Sequence, residues 1–126
     1  MQAHNISPQN ISPQNVNINF FKSEGYDKIQ SFLTVKEVDE ITEFIDSLNL
    51  KPCETVFDEN STGKIKQIQY LNTYGKIFTD LIDKITPFAE LYTGTKSLKV
   101  LNMQYFEKHS EISKPTRAHQ DNAYFK

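Results

Sequence analysis

His119-Gln120-Asp121-Asn122-Ala123-Tyr124-Phe125-Lys126 is the stretch that decides the fold of this chain. An imidazole and a carboxylate stand two positions apart. In an extended strand, side chains at i and i+2 leave the same face, so His119 and Asp121 would converge on one point where a metal ion could sit. Two histidines and one carboxylate on a single octahedral face form the ligand set of non-haem iron(II) sites. His119 and Asp121 supply two of those three groups. Gln120 would point the other way, supporting the sheet or holding a hydrogen bond behind the ligands. The plainer alternative for His119 and Asp121 is an exposed ion pair of small energetic value.

Upstream, Leu98 to Phe106 has the length of a strand. Leu98, Val100, Asn102, Gln104 and Phe106 fall on one face, and Lys99, Leu101, Met103 and Tyr105 on the other. Apolar residues on both faces predict an inner strand. Tyr74, Ile77, Phe78, Leu81, Ile82 and Ile85 repeat at helical spacing, with Thr86-Pro87 predicting the start of a further short helix to Leu91 and Gly94 closing it. Pro52–Phe57 and Lys64–Leu71 read as the strands of a hairpin around a polar turn over residues 58–63. Thr34 followed by Glu37 matches a capping box, and the Val35, Val38, Ile41, Phe44, Ile45 and Leu48 stripe predicts an amphipathic helix after it. The carboxylates of that helix lie off the stripe and are assigned to solvent.

His119-Gln120-Asp121 with its aromatic tail, Lys114-Pro115-Thr116 before it, and Leu101-Asn102-Met103-Gln104-Tyr105-Phe106 with Lys108 resemble the phytanoyl-CoA dioxygenase family of iron(II)- and 2-oxoglutarate-dependent oxygenases. Phe32-Leu33-Thr34 and the helix after it extend the resemblance, which covers Tyr26 to Lys126. It implies an α+β fold in which N-terminal helices pack on the beginning of a double-stranded β-helix, jelly-roll or cupin-like, truncated after the H-x-D strand. It further implies iron(II) held by His119 and Asp121, with 2-oxoglutarate as co-substrate, a distal His as third ligand and a later Arg for the co-substrate carboxylate. The last two lie outside this sequence. Asn102, Gln104 and Thr116 are the candidates for the co-substrate's surroundings. Phe125, with Tyr124, is the candidate pocket wall, and Lys108 and Lys114 could meet an anionic substrate. A sheet ending at Lys126 would keep unpaired edges, so the stretch alone is expected to be unstable or aggregation-prone.

Composition narrows the alternatives. At 126 residues the chain is one domain at most, and 14 Lys+Arg against 16 Asp+Glu leave a net charge of −2, so no global field points to nucleic acid or an anionic membrane. No run of about 18 apolar residues predicts a membrane span, and no secretory signal pattern opens the chain. The lone Cys53 excludes an internal disulfide. An intracellular, cytoplasmic protein is the expectation. Asn5-Ile6-Ser7-Pro8-Gln9 recurs as Asn10-Ile11-Ser12-Pro13-Gln14 and starts again at Asn15, so residues 1–19 are expected to form a disordered Asn/Gln/Ser/Pro tail, with residues 20–126 as the folded portion.

Two functional expectations follow. The resemblance implies a dioxygenase that hydroxylates a small-molecule substrate, with this stretch inactive by itself. The alternative is a non-catalytic, truncated product acting as a binding or interaction module. Zinc hydrolysis is less attractive because neither an H-E-x-x-H pattern nor a Cys cluster occurs.

Overall fold

The computed structural model describes residues 12–13, 16–57, 63–110 and 115–121. Its helices are α1 (Ile18–Glu24), α2 (Val35–Asp46) and α3 (Lys76–Thr93), and its strands β1 (Thr55–Phe57), β2 (Ile65–Ile68) and β3 (Tyr105–Phe106). The protein is therefore α+β, with three helices and a three-stranded antiparallel open sheet in the order β1-β2-β3. Two units divide the chain: Met1–Asn49 with Tyr70–Met103, and Leu50–Gln69 with Gln104–Lys126.

In the first unit, α1 starts where Asn17 can cap it, its side-chain oxygen accepting the Phe20 N–H at 2.9 Å. Asn17, within the expected tail, thus opens a helix at Ile18, two residues ahead of Phe20, where order was expected to begin. Asp27 ties α1 down. Its carboxylate accepts from the Asn17 N–H at 3.1 Å, the Lys28 N–H at 2.8 Å and the Tyr92 hydroxyl at 2.5 Å. The Tyr92 bond, with help from the two amides, holds Asp27 below the usual carboxylate value. Desolvation and the same bond push the Tyr92 phenol up to about 12.

Thr34 begins α2 through the expected capping box: its Oγ1 accepts the Glu37 N–H at 3.1 Å, and Glu37 Oε2 accepts the Thr34 N–H at 2.8 Å. Edge-to-face ring pairs join α2 and its lead-in to α3. Phe44 meets Phe78 with ring centres 5.6 Å apart, and Phe32 meets Phe88 at 5.1 Å. A Cβ on Gly75, just before α3, would come within 2.8 Å of the Phe44 ring, so only glycine admits that approach without a shift. Leu71, Phe78 and Phe88 are the buried apolar residues of this unit among those described.

The expected break at Pro87 does not occur, because α3 runs unbroken from Lys76 to Thr93 with Pro87 inside it. Burial of Phe88 against Phe32 holds the helix through the proline, which cannot make the bond to the carbonyl of Asp83 four residues earlier. Gly94 then ends the helix in the left-handed region at φ 71°, its N–H bonded to the Glu90 carbonyl.

In the second unit, β1 and β2 form the expected hairpin, pairing Thr55 with Ile68 and Val56 with Gln67, with an irregularity before Phe57. The strands are shorter than expected. Pro52–Glu54 is a 3-10 turn, where Pro52 cannot donate to a ladder, and β2 ends at Ile68. The turn at residues 58–62, Lys114, Tyr124 and Phe125 lie outside the described residues, as does most of the repeat tail.

Leu98–Phe106 is not the inner strand its sequence predicts. Only Tyr105 and Phe106 are strand, and they lie at the sheet edge, paired as Ile68 with Tyr105 and Gln67 with Phe106. The reason lies in the first unit's Tyr70, which takes the left-handed conformation at φ 56° and breaks the extended backbone that a longer ladder would need. Its N–H bonds the Asn102 side chain at 2.8 Å instead of a strand carbonyl. The Leu71 N–H takes the Met103 carbonyl at 2.9 Å, and Leu71–Thr73 turns into a 3-10 helix.

Candidate metal centre

Residues 115–120 carry no strand, so His119 and Asp121 do not stand on the expected H-x-D strand. Exposed side chains and a local bond from His119 Nδ1 to the Arg117 carbonyl, 2.8 Å, take the place of a ladder here. The two groups meet nonetheless. His119 Nε2 lies 3.1 Å from Asp121 Oδ1. A carbonyl can only accept, so Nδ1 carries a proton, and a neutral ring presents its Nε2 lone pair to the carboxylate. Either a proton or a metal cation can bridge the two atoms. The Arg117 carbonyl first, and then the Asp121 charge, raise the His119 pKa above its ordinary 6.5 and favour the proton.

The pair fits a metal in chemistry and in span. Imidazole nitrogen and carboxylate oxygen are the donor types of the facial triad, and ligand bonds of about 2.1 Å at a right angle place their donor atoms about 3 Å apart. The anchored Nδ1–H is the outer contact that ligating histidines usually make. Among the described residues, no group of three or more His, Cys, Asp or Glu side chains could hold one ion.

Each of the other expected site residues among those described has a hydrogen-bond partner of its own. Asn102 belongs to the first unit, where its Oδ1 accepts the Tyr70 N–H. Gln104 Oε1 accepts from Gln67 Nε2 at 3.2 Å across the second unit's sheet. Thr116 Oγ1 accepts from Lys108 Nζ at 3.1 Å, three residues before His119. The expected pocket wall, Phe125, lies outside the described residues. Cys53 is exposed.

A second histidine–carboxylate pair, His109 Nδ1 and Glu107 Oε1 at 3.4 Å, follows β3. Tyr105, Glu107 and His109 are each half-buried, whereas Phe106 and Lys108 between them are exposed. Their alternation was the available signal, but it continues past the two residues that pair as a strand. In the first unit, a groove of about 190 Å³ lies between α2 and α3, with Leu33, Ile41, Ile77 and Leu81 as its apolar lining and Glu37 and Lys84 paired beside them. No helix among the described residues is long and apolar enough to cross a membrane.

Comparison of the chain with protein-family models, with curated proteins and with solved structures finds no match.

Proposed function

We propose that the chain is part of an iron(II)- and 2-oxoglutarate-dependent dioxygenase of the phytanoyl-CoA dioxygenase type, that its α+β fold begins a jelly-roll-like double-stranded β-helix, and that His119 and Asp121 are two of three metal ligands. The observation that carries this reading is the meeting of His119 Nε2 and Asp121 Oδ1 at 3.1 Å while the Arg117 carbonyl fixes Nδ1–H. Bound there with 2-oxoglutarate, iron(II) supplies oxygen activation for hydroxylating a carbon of a small-molecule substrate.

The chain's own groups have separate tasks. Arg117 keeps the His119 ring in the tautomer that offers Nε2, and Asp121 brings the negative charge that offsets part of a dication's own. Thr116, accepting from Lys108, keeps its hydroxyl hydrogen for an anionic group such as a co-substrate carboxylate. Neither nucleic acid nor a membrane is needed as a partner, and a cytoplasmic setting accords with the single free cysteine. The bonds that occupy Asn102 and Gln104 favour a second reading, a non-catalytic binding or interaction module, in which these amides serve the fold alone.

Manganese(II), an oxygen-stable stand-in for iron(II), separates the two readings by electron paramagnetic resonance titration of the 126-residue chain. With the third ligand outside the chain, the dioxygenase reading expects weak but saturable binding, tightened by 2-oxoglutarate and weakened at least about tenfold further by His119→Ala or Asp121→Ala. Equal binding by the wild type and both variants overturns it.

A further inference from the structure

The net charge of −2 conceals an uneven distribution. The first unit holds 10 Asp+Glu against 7 lysines, whereas the second holds 6 against 7 Lys+Arg. Much of the excess lies on α2, which carries five carboxylates and one lysine. Exposed Asp39, Glu43 and Asp46 follow one another at four- and three-residue steps, so they are neighbours on the helix surface and their fields add.

The groove between α2 and α3 sits within this acidic unit. Its apolar lining of Leu33, Ile41, Ile77 and Leu81 is half-buried throughout, so each side chain keeps surface open to a partner. At about 190 Å³ it has room for one or two side chains and falls short of the roughly 300–1,000 Å³ of small-molecule pockets. The lining runs over about two helical turns on each wall, which suits the repeating aliphatic anchors of an amphipathic helix laid in a groove. Of the charged side chains along it, Glu37 and Lys84 belong to the fold: they pair at 3.0 Å, and Lys84 also donates to the Phe32 carbonyl at 2.7 Å. Glu40 on α2 and Asp80 on α3 pair instead with Lys36 and Lys76 of their own helices, and those lysines are 85% and 84% exposed. Solvent screens such pairs, so a cation brought in by a partner can take over both carboxylates at little cost.

We propose that the α2–α3 groove receives a basic amphipathic helix of a partner protein, its aliphatic side chains seated on Leu33, Ile41, Ile77 and Leu81 and its Lys or Arg side chains on Glu40 and Asp80. The proposal shares no residue with the metal reading and does not depend on it. The probe is a synthetic peptide of about 15 residues with leucine at i, i+4 and i+7 and arginine beside each leucine. One control peptide replaces the leucines by serine, and the other replaces the arginines by glutamate. Anisotropy of the labelled peptide gives affinity for the 126-residue chain, and the methyl resonances of Leu33, Ile41, Ile77 and Leu81 give location. Saturable binding that moves those methyls is expected, absent with either control, and weakened about fivefold or more by Glu40→Gln with Asp80→Asn or by about 0.5 M salt. Both substitutions keep shape at exposed residues, so the fold persists. Equal binding by a control peptide, affinity unchanged by the double substitution, or unmoved groove methyls would overturn the proposal. Octylammonium chloride binding there as tightly as the peptide would overturn it too, by making the groove a site for small amines.

Discussion

Glu37→Gln removes one charge from a carboxylate bonded to both the α2 cap and α3 while keeping its shape. The Glu37 carboxylate accepts the Thr34 N–H at 2.8 Å, and Lys84 Nζ lies 3.0 and 3.1 Å from its two oxygens. Lys84 also donates to the Phe32 carbonyl at 2.7 Å and sits over the Phe32 ring, so the ion pair links α2, its lead-in and α3. A glutamine oxygen can still accept from Thr34, so the cap persists in weakened form. With the Lys84 and Glu37 side chains 35% and 38% exposed, solvent screens the pair. Together, the lost pair and the weakened cap come to about 1 kcal/mol at neutral pH. The Thr34 amide first, and then Lys84, hold the Glu37 pKa below its ordinary 4.5. A depressed folded-state pKa means that the stabilisation is fully present above the unfolded value of 4.5 and is lost as pH falls through the lower folded value. Urea unfolding followed by far-UV circular dichroism should show the variant weaker at neutral pH, the gap closing in acid below that value and narrowing in about 0.5 M salt. A gap of the same size in acid and at neutral pH, or none at all, would refute the role given to the charge.

Phe78→Ala, at a residue 1% exposed and set edge-to-face against Phe44, should cost about 3–5 kcal/mol and abolish the cooperative far-UV transition. Pro87→Ala should stabilise by about 2 kcal/mol, because relief of about 3 kcal/mol inside a helix outweighs about 1 kcal/mol of unfolded-state entropy; a lower urea midpoint than wild type would contradict this. Asn102→Ala should cost about 1 kcal/mol by leaving the Tyr70 N–H without its partner, and should leave 2-oxoglutarate-dependent manganese(II) binding unchanged. Loss of that binding without loss of stability would instead support Asn102 as a co-substrate contact.

Local signals in the sequence translated into structure, whereas signals that needed a distant partner did not. Thr34 and Glu37 could be read together because both halves of a capping box lie within one turn, and Gly94 because a helix end needs only its own backbone. Leu98–Phe106 has the composition of a strand, but a strand also needs a partner of matching length, and β2 is lost at the left-handed Tyr70. Nothing in the residue type of a tyrosine announces that conformation. Pro87 misled in the opposite sense: its local preference for a helix start is weaker than the burial of Phe88, a tertiary fact. At the candidate site, the approach of His119 to Asp121 was legible and the strand supporting it was not, because a spacing of two brings side chains together without a ladder.

The two histidine–carboxylate pairs differ in what holds the ring. His119 is anchored by the Arg117 carbonyl two residues before it, so its tautomer survives whatever happens to the sheet. His109 is anchored by Ile65, whose carbonyl is in place only while the β2–β3 edge is intact. Ile68, fully buried and registered opposite Tyr105, controls that edge. Ile68→Ala should remove about 2–5 kcal/mol of packing there. The His109 imidazole resonances should move as that edge loosens, while manganese(II) binding that depends on His119 should persist. Loss of that manganese(II) binding as well would show that His119 also depends on the sheet, and that its bond to Arg117 is not sufficient to hold the ring.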